Sequence, residues 1–137
     1  LAVARINVDR HAMASRISLV HSDVLQQVPG KFDLILCNPP YVCAASMAAL
    51  PAEFQAEPEL ALAGGEDGMD FVRQLLAQAP KHMTSNAVLV LEIGHERAHF
   101  EKAFPQLEVI WLETTAGEDQ VLLVTSQALQ QWQSMSV

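Results

Sequence analysis

The chain has 137 residues, half of them hydrophobic, and its 16 acidic and 8 basic side chains give a net charge of −8 at pH 7. This length and composition predict one globular domain, while the negative charge argues against broad binding to nucleic acid and is compatible with a basic partner. No apolar run reaches the ~18 residues of a membrane span. Cys37 and Cys43 have no His or Cys at ligand spacing around them, which argues against a metal site and favours reduced thiols in a cytoplasmic protein.

The first half of the chain is predicted to contain one helix and two strands. Apolar spacing predicts a helix over residues 1–13, followed by a short strand at Ile17–His21. Phe32–Cys37 is a second strand, and its continuous apolar run is typical of a strand that is covered on both faces. Residues 38–68, rich in Pro, Ala and Gly, then form a long loop, and loops of this length in compact domains are usually functional or disordered.

The second half continues the alternation. The stretch DGMDFVRQLLAQA predicts a helix with Asp67 or Asp70 near its start, where a carboxylate suits the helix dipole. AVLVLEIG is a buried strand, HERAHFEKAF a helix, LEVIWLET and QVLLVTS two strands joined by the short loop TAGEDQ, and QALQQWQSM a short terminal helix. Strands that alternate with helices predict an α/β fold with a mostly parallel sheet and an antiparallel terminal strand pair.

Polar residues follow three of the predicted strands at their carboxyl ends. They are Ser22-Asp23, Asn38-Pro39-Pro40-Tyr41 and Glu92-Ile93-Gly94. Ligands of parallel α/β sheets bind at the carboxyl ends of the strands. The convergence of these clusters therefore predicts a functional site at that edge.

The turn NPPY offers acceptors for a planar amino group. Its two prolines have no N–H, fix φ and push the preceding residue into extended geometry, so the turn is stiff. The Asn38 side-chain oxygen and the Pro39 backbone oxygen could accept both hydrogens of one NH2 group, and Tyr41 could lie flat against the group that carries it. Such a site would orient a weakly nucleophilic nitrogen for methyl transfer, with no base acting before the attack.

A plainer interpretation of these residues is also available. Asn-Pro-Pro is a common way to open a loop, and many such turns have no further role. The position of NPPY after a buried strand, beside polar residues at two other strand ends, favours the functional interpretation. Glu92 fits a role behind the site and a partly buried, hydrogen-bonded carboxylate equally well.

The turn and the segments around it resemble a known family. NPPY after a buried strand is similar to the acceptor motif of class I methyltransferases that use S-adenosylmethionine and methylate NH2 nitrogens. More narrowly, NPPYV, LPAEFQAEPELALAGGEDGMD, VLVLEIG and WLETTAGEDQVLLVT resemble, in order, the protein glutamine methyltransferases that modify translation proteins. Within that family, LPAEFQAEPELAL and WLE are most similar to the enzymes that act on the third protein of the large ribosomal subunit.

The resemblance implies a Rossmann-like methyltransferase fold with the NPPY turn as the catalytic substrate clamp. It assigns Asn38, Pro39, Pro40 and Tyr41 to that clamp. It assigns no residue to a metal ion.

The resemblance also implies S-adenosylmethionine as the cofactor. Asp23 matches an acidic residue near the adenine amine, Val24 a residue that packs beside the adenine ring, and Asn38 is also close to the cofactor. A turn or helix cap is an equal alternative for Asp23. Glu57 and Pro58 match a loop that shapes the acceptor pocket, whereas an exposed loop carboxylate is the plainer interpretation of Glu57.

Some parts of the family's pattern have no match in this sequence. They are the glycine-rich cofactor loop, the ribose-binding acidic residue and the N-terminal helical domain, and the chain starts without Met inside a helical pattern. We therefore expect residues 1–137 to be a partial catalytic domain without its first two strands, inactive alone and with an incomplete cofactor site. The edge of Phe32–Cys37 would be left open, to be covered by Ile17–His21 or by a second copy of the chain in a dimer.

Three functions remain open from the sequence. The first is methyl transfer to a glutamine amide nitrogen of a basic ribosomal or translation protein. The second is an amino-methyltransferase acting on adenine or guanine, which the acidic composition and the lack of a target-recognition segment disfavour. No stable binding to nucleic acid or membrane is expected. The third is a folded remnant without catalysis, which binds a partner or nothing.

Overall fold

A computed structural model of the chain describes residues 1–47, 61–115 and 117–135. The strands within these ranges are β1 (Phe32–Cys37), β2 (Met83–Glu92), β3 (Ile110–Thr114) and β4 (Gly117–Thr125). The helices are α1 (Ala2–Arg10), α2 (Ala44–Met47), α3 (Asp70–His82), α4 (Arg97–Ala103) and α5 (Ser126–Met135). No described helix is long and apolar enough to cross a membrane.

The strands form one mixed sheet in the order β1-β2-β4-β3. β1 and β2 are parallel, and β4 pairs antiparallel with both β2 and β3. Three of the four described strands therefore run in the same direction, and the predicted α/β fold with its antiparallel terminal pair is confirmed. Because the reversed β4 lies between β2 and β3, two of the three strand pairings are antiparallel.

The register of β1 and β2 determines which strand ends meet. The pairing runs without a break from Leu34 onward and ends with Cys37 opposite Leu91. The next residues, Asn38 and Glu92, therefore follow at the same level on neighbouring strands. Two of the three polar strand ends predicted from the sequence are brought side by side in this way.

The core lies between the sheet and the helices α3, α4 and α5. The buried side chains of α3 recur at the spacing of one helix face: Val72, Leu75, Leu76 and Ala79. Leu89 and Leu91 of β2 and Leu129 of α5 belong to the same buried cluster. Burial of each such side chain contributes about 1.5–3 kcal/mol, so the strand that carries Glu92 is held firmly.

Helix and strand bounds differ from the predicted ones by a few residues. α1 ends at Arg10 rather than near residue 13, and Ala12 takes a left-handed φ of 53°, which a helix does not continue through. β2 begins at Met83, ahead of the predicted start at Ala87. α3 begins at Asp70, one of the two acidic residues predicted near its start.

Two expectations for the first half of the chain are wrong. Ile17–His21 is not a strand, because its backbone pairs with no described strand. It therefore does not join the sheet beside β1. β1 is not covered on both faces either: Leu34 and Leu36 are 50% and 71% exposed, whereas Ile35 packs against the core. An apolar run shows that a strand can be buried, but its burial depends on the elements the fold brings against it.

Candidate active site

The NPPY turn lies at the carboxyl end of β1, as predicted. Asn38 is exposed, Pro39 is buried, and Pro40 and Tyr41 are half-buried. The turn is therefore packed into the protein while the Asn38 amide remains accessible. This is the combination that a clamp open to a substrate requires.

The chain beyond the turn is tied to the far end of the predicted loop over residues 38–68. The Val42 N–H donates to the Leu62 carbonyl at 2.9 Å, and the Gly64 N–H donates to the Val42 carbonyl at 2.9 Å. Val42 and Ala63 also form an isolated parallel bridge. The turn is thus held on one side by β1 and on the other by these backbone hydrogen bonds.

The side chain of Tyr41 contacts the end of β2. Its ring packs against Gly94, where a Cβ atom would stand 2.6 Å from the ring atom Cε2. The carboxylate of Glu92 lies beside its phenol. Burial first, and then the charge and hydrogen-bonding capacity of Glu92, raise the pKa of Tyr41 above its usual value, so the phenol keeps its proton at neutral pH.

Glu92 and Gly94 belonged to a polar cluster predicted from the sequence, but their partner was not predictable. Glu92 is half-buried, and its carboxylate lies beside the phenol of Tyr41. Gly94 has a φ of +54°, a conformation that side chains rarely adopt. The sequence shows a glycine at a strand end, but only the fold shows that this glycine contacts Tyr41.

Asp23 and Val24 lie in the turn after Ile17–His21. The exposed Asp23 carboxylate accepts a hydrogen bond from Gln26 Nε2 at 3.0 Å, a role within its own turn. Val24 is half-buried against the core and has a φ of 51°, which is unfavourable for a β-branched residue. The Leu25 N–H donates to Gln78 Oε1 at 2.8 Å and so anchors this turn on α3. Two further predicted site residues, Glu57 and Pro58, lie outside the described residues and stay predictions.

A polar cavity of about 520 Å³ lies between the segment that begins α3 and helix α4. Charged side chains line it: Glu66, Asp67, Asp70, Arg73, His99 and Lys102. Arg73 forms ion pairs with Asp67 and Asp70. The cavity adjoins the turn because Gly68 lies against Tyr41, so closely that a Cβ atom on Gly68 would stand 2.2 Å from the Tyr41 carbonyl oxygen.

Cys43 meets Glu96 and His99 near the turn, although Cys43 is far from both in the sequence. One possible ligand atom from each lies within 4.8 Å of the others. Glu96 Oε2 and His99 Nδ1 are 2.5 Å apart. Two ligands of one tetrahedral zinc ion, bonded at about 2.0–2.1 Å, would stand ~3.3 Å apart. We therefore interpret the Glu96–His99 contact as a hydrogen bond within a polar cluster.

One family model matches the first part of the chain. Residues 1–62, which include β1 and the NPPY turn, match the family model of the methyltransferase small domain. The resemblance to methyltransferases predicted from the sequence is confirmed.

Curated relatives give a narrower similarity. The chain is 52% identical to a protein of Bordetella pertussis, 47% to one of Burkholderia pseudomallei and 39% to one of Francisella tularensis, each named ribosomal protein uL3 glutamine methyltransferase. The alignments cover 94%, 94% and 91% of this chain but 44%, 45% and 40% of the relatives. The predicted similarity to this branch is confirmed, and the chain spans less than half the length of these relatives.

Proposed function

We propose that the chain forms the acceptor side of a methyltransferase that uses S-adenosylmethionine and modifies the side-chain amide of a glutamine in a basic ribosomal protein. The observation that carries this proposal is the NPPY turn at the end of β1, with Asn38 accessible and Tyr41 fixed against β2. The names of the relatives support uL3 as the substrate. Residues 1–137 would then be part of a catalytic domain.

In this proposal the clamp acts by accepting hydrogen bonds. Asn38 Oδ1 and the Pro39 carbonyl oxygen each take one N–H of the glutamine amide, and the Tyr41 ring lies against the amide plane. Two acceptors raise the electron density on nitrogen and direct its lone pair. The nitrogen would bond to the methyl carbon as the carbon–sulfur bond of S-adenosylmethionine breaks and S-adenosylhomocysteine leaves, and it would then lose one proton to solvent. No base is needed before the attack, because that proton becomes acidic only after nitrogen is alkylated.

S-adenosylmethionine would supply the methyl group. The exposed carboxylate of Asp23 suits the adenine amine, half-buried Val24 suits the adenine ring, and Asn38 lies at the neighbouring strand end. The assigned residues fit the adenine end of this molecule only. We therefore propose that residues 1–137 alone bind it weakly and do not turn over.

Methyl transfer is the direct test of the proposed function. Radiolabelled S-adenosylmethionine would be offered with uL3, or with DNA or RNA, to this chain and to a protein of the relatives' length that contains it. We expect the longer protein to label a glutamine of uL3 and the 137-residue chain to be inactive. Labelling of nucleic acid alone, or of nothing by the longer protein, would overturn the proposal.

We also infer that a second copy of the chain covers β1. β1 has β2 as its neighbour on one side, and no described strand pairs with its other edge. The side chains of Leu34 and Leu36 add exposed apolar surface next to that edge.

A substrate on the ribosome would place the protein in the cytoplasm, and the net charge of −8 disfavours stable binding to nucleic acid.

A further inference from the structure

Tyr41 is the member of the clamp whose orientation the prolines do not fix. Proline rings restrict the backbone around Asn38 and Pro39, but the Tyr41 ring turns about two side-chain bonds. Its face can support a planar substrate only if neighbouring groups hold it at one angle. The contacts of this ring therefore decide whether the clamp has a defined shape.

Gly94 leaves the space that the ring occupies. A Cβ atom at this position would stand 2.6 Å from Tyr41 Cε2, 3.0 Å from Cζ and 3.2 Å from the hydroxyl oxygen. Carbon atoms in contact stand about 3.5–4.0 Å apart, so any side chain here must displace the ring.

The carboxylate of Glu92 lies beside the hydroxyl end of the same ring. It is the last residue of β2, a strand paired with β1 on one side and with β4 on the other. Glu92 itself pairs with Val121, and the Ile93 N–H donates to the Gln120 carbonyl at 2.9 Å. The anchor of the phenol is thus fixed to the middle of the sheet.

We propose that Gly94 and Glu92 are positioning residues that act through Tyr41: Gly94 admits the ring and Glu92 fixes its hydroxyl, so that the ring face is presented to the acceptor amide. The identity of the acceptor rests on the proposed function, whereas the fixed position of the Tyr41 ring does not depend on it. Because Glu92 occupies the hydroxyl, Tyr41 offers a substrate a flat surface rather than a hydrogen bond. The site then selects planar groups such as an amide.

The first test uses the fact that the sequence has a single tyrosine. With 13C-labelled tyrosine, the ring signals of the chain report on Tyr41 alone. Gly94→Ala should shift these signals and speed ring flipping. Gly30→Ala is the matched control, because Gly30 also has a positive φ, +88°, but nothing lies within 4 Å of its Cβ position. Equal effects of the two variants, or none in Gly94→Ala, would overturn the inference.

The second test follows the ultraviolet absorbance of the phenolate with pH. Glu92→Gln removes a negative charge beside the phenol, so the pKa of Tyr41 should fall towards its ordinary value. Glu108→Gln, which neutralises an exposed carboxylate, is the control and should leave the titration in place. An unchanged titration in Glu92→Gln would show that Glu92 does not hold the hydroxyl.

Activity separates positioning from general stability. In the longer protein, Gly94→Ala should lower kcat for uL3 by about 100-fold with the cofactor Kd unchanged, since a misplacement near 1 Å costs about that much. Glu92→Gln should have no further effect in a Tyr41→Phe background, whereas additive losses would contradict the role through Tyr41. If the longer protein is inactive but both spectroscopic tests succeed, the proposed function fails and the inference on the ring stands.

Discussion

Cys37 and Asn38 are neighbours at the end of β1, yet their side chains meet opposite surroundings. Cys37 packs against the core, and burial raises the pKa of its thiol to about 11. Asn38 is exposed at the sheet edge. Side chains alternate between the two faces of a strand, so one step along the chain separates a buried thiol from an accessible amide.

Replacing Asn38 should impair methyl transfer far more than cofactor binding. Asn38→Ala leaves the acceptor amide with one oxygen instead of two, and loss of one preorganised contact lowers kcat by about 10²–10³-fold. Asn38→Asp keeps an acceptor but adds a charge, so we expect a smaller loss and a changed pH profile. Kinetics and calorimetry on the longer protein test this, with exposed Asn86→Ala as the control. Wild-type turnover in Asn38→Ala would remove Asn38 from the mechanism.

Cys37 should react slowly with alkylating reagents. A shift of the thiol pKa from 9.0 to about 11 lowers the thiolate fraction at pH 8 by about 100-fold. Its contribution to stability is full below pH 9 and is lost as the pH rises towards 11, because the unfolded chain then releases the proton first. Mass spectrometry after iodoacetamide treatment measures the rate; alkylation as fast as in the urea-unfolded chain would contradict the burial.

At the scale of elements, the residues that start α3 also line the cavity. Asp67 accepts a hydrogen bond from the Met69 N–H at 3.0 Å, immediately before α3 begins at Asp70. Arg73, one turn further on, forms ion pairs with both carboxylates. Carboxylates at a helix N-terminus also interact favourably with its dipole, which is the local reason that the sequence predicted this start.

The Asp67–Arg73 pair should stabilise the protein only above acidic pH. The hydrogen bond from Arg73 is the main cause that lowers the pKa of Asp67 from 3.8 to about 2. The stabilisation is therefore present above pH 3.8 and is lost as the pH falls towards 2. The pair is exposed, so Arg73→Met should cost at most about 1 kcal/mol. Urea unfolding at pH 6 and pH 3 measures this, with exposed Arg16→Met as the control; equal costs at both pH values would contradict it.

At the scale of the whole molecule, most of the exposed large apolar side chains of the described residues lie in the first 36 residues. They lie on α1, on the segment after it and on β1: Val3, Ile6, Ile17, Val20, Leu34 and Leu36. The chain also spans less than half the length of its relatives. Both observations agree with the proposal that residues 1–137 cover this region by self-association and have an incomplete cofactor site.

The chain should therefore associate through β1. Leu36→Lys places a charge on the open face and should lower the fraction of dimer, because a charge on an exposed strand opposes pairing. Ile110→Lys is the matched control, since Ile110 is 58% exposed on β3 at the opposite edge of the sheet. Light scattering over a range of concentrations measures the association. A wild-type monomer at every concentration would contradict the proposal.

Cofactor binding by the chain alone should be weak. The assigned residues cover the adenine end of S-adenosylmethionine, and Asp23 also accepts the hydrogen bond from Gln26. Calorimetry should therefore detect no binding at micromolar concentrations. A micromolar Kd would show that the described residues hold more of the site than we propose.

From the sequence alone, the strands β1–β4, the helices α1, α3, α4 and α5 and the NPPY turn were predictable in order, because each depends on a short pattern of neighbouring residues. The buried face of α3 follows from helical periodicity, and the stiffness of the turn follows from its two prolines. The family resemblance depended on such local motifs as well.

Only the tertiary structure decided which of these segments meet. The contact of Tyr41 with Gly94, the cluster of Cys43 with His99, and the failure of Ile17–His21 to become a strand join or separate groups that are distant in the chain. Local patterns show what a segment can form, but the backbone of a strand needs a partner. Similarly, a ring is fixed at one angle only by the atoms that the fold brings against it.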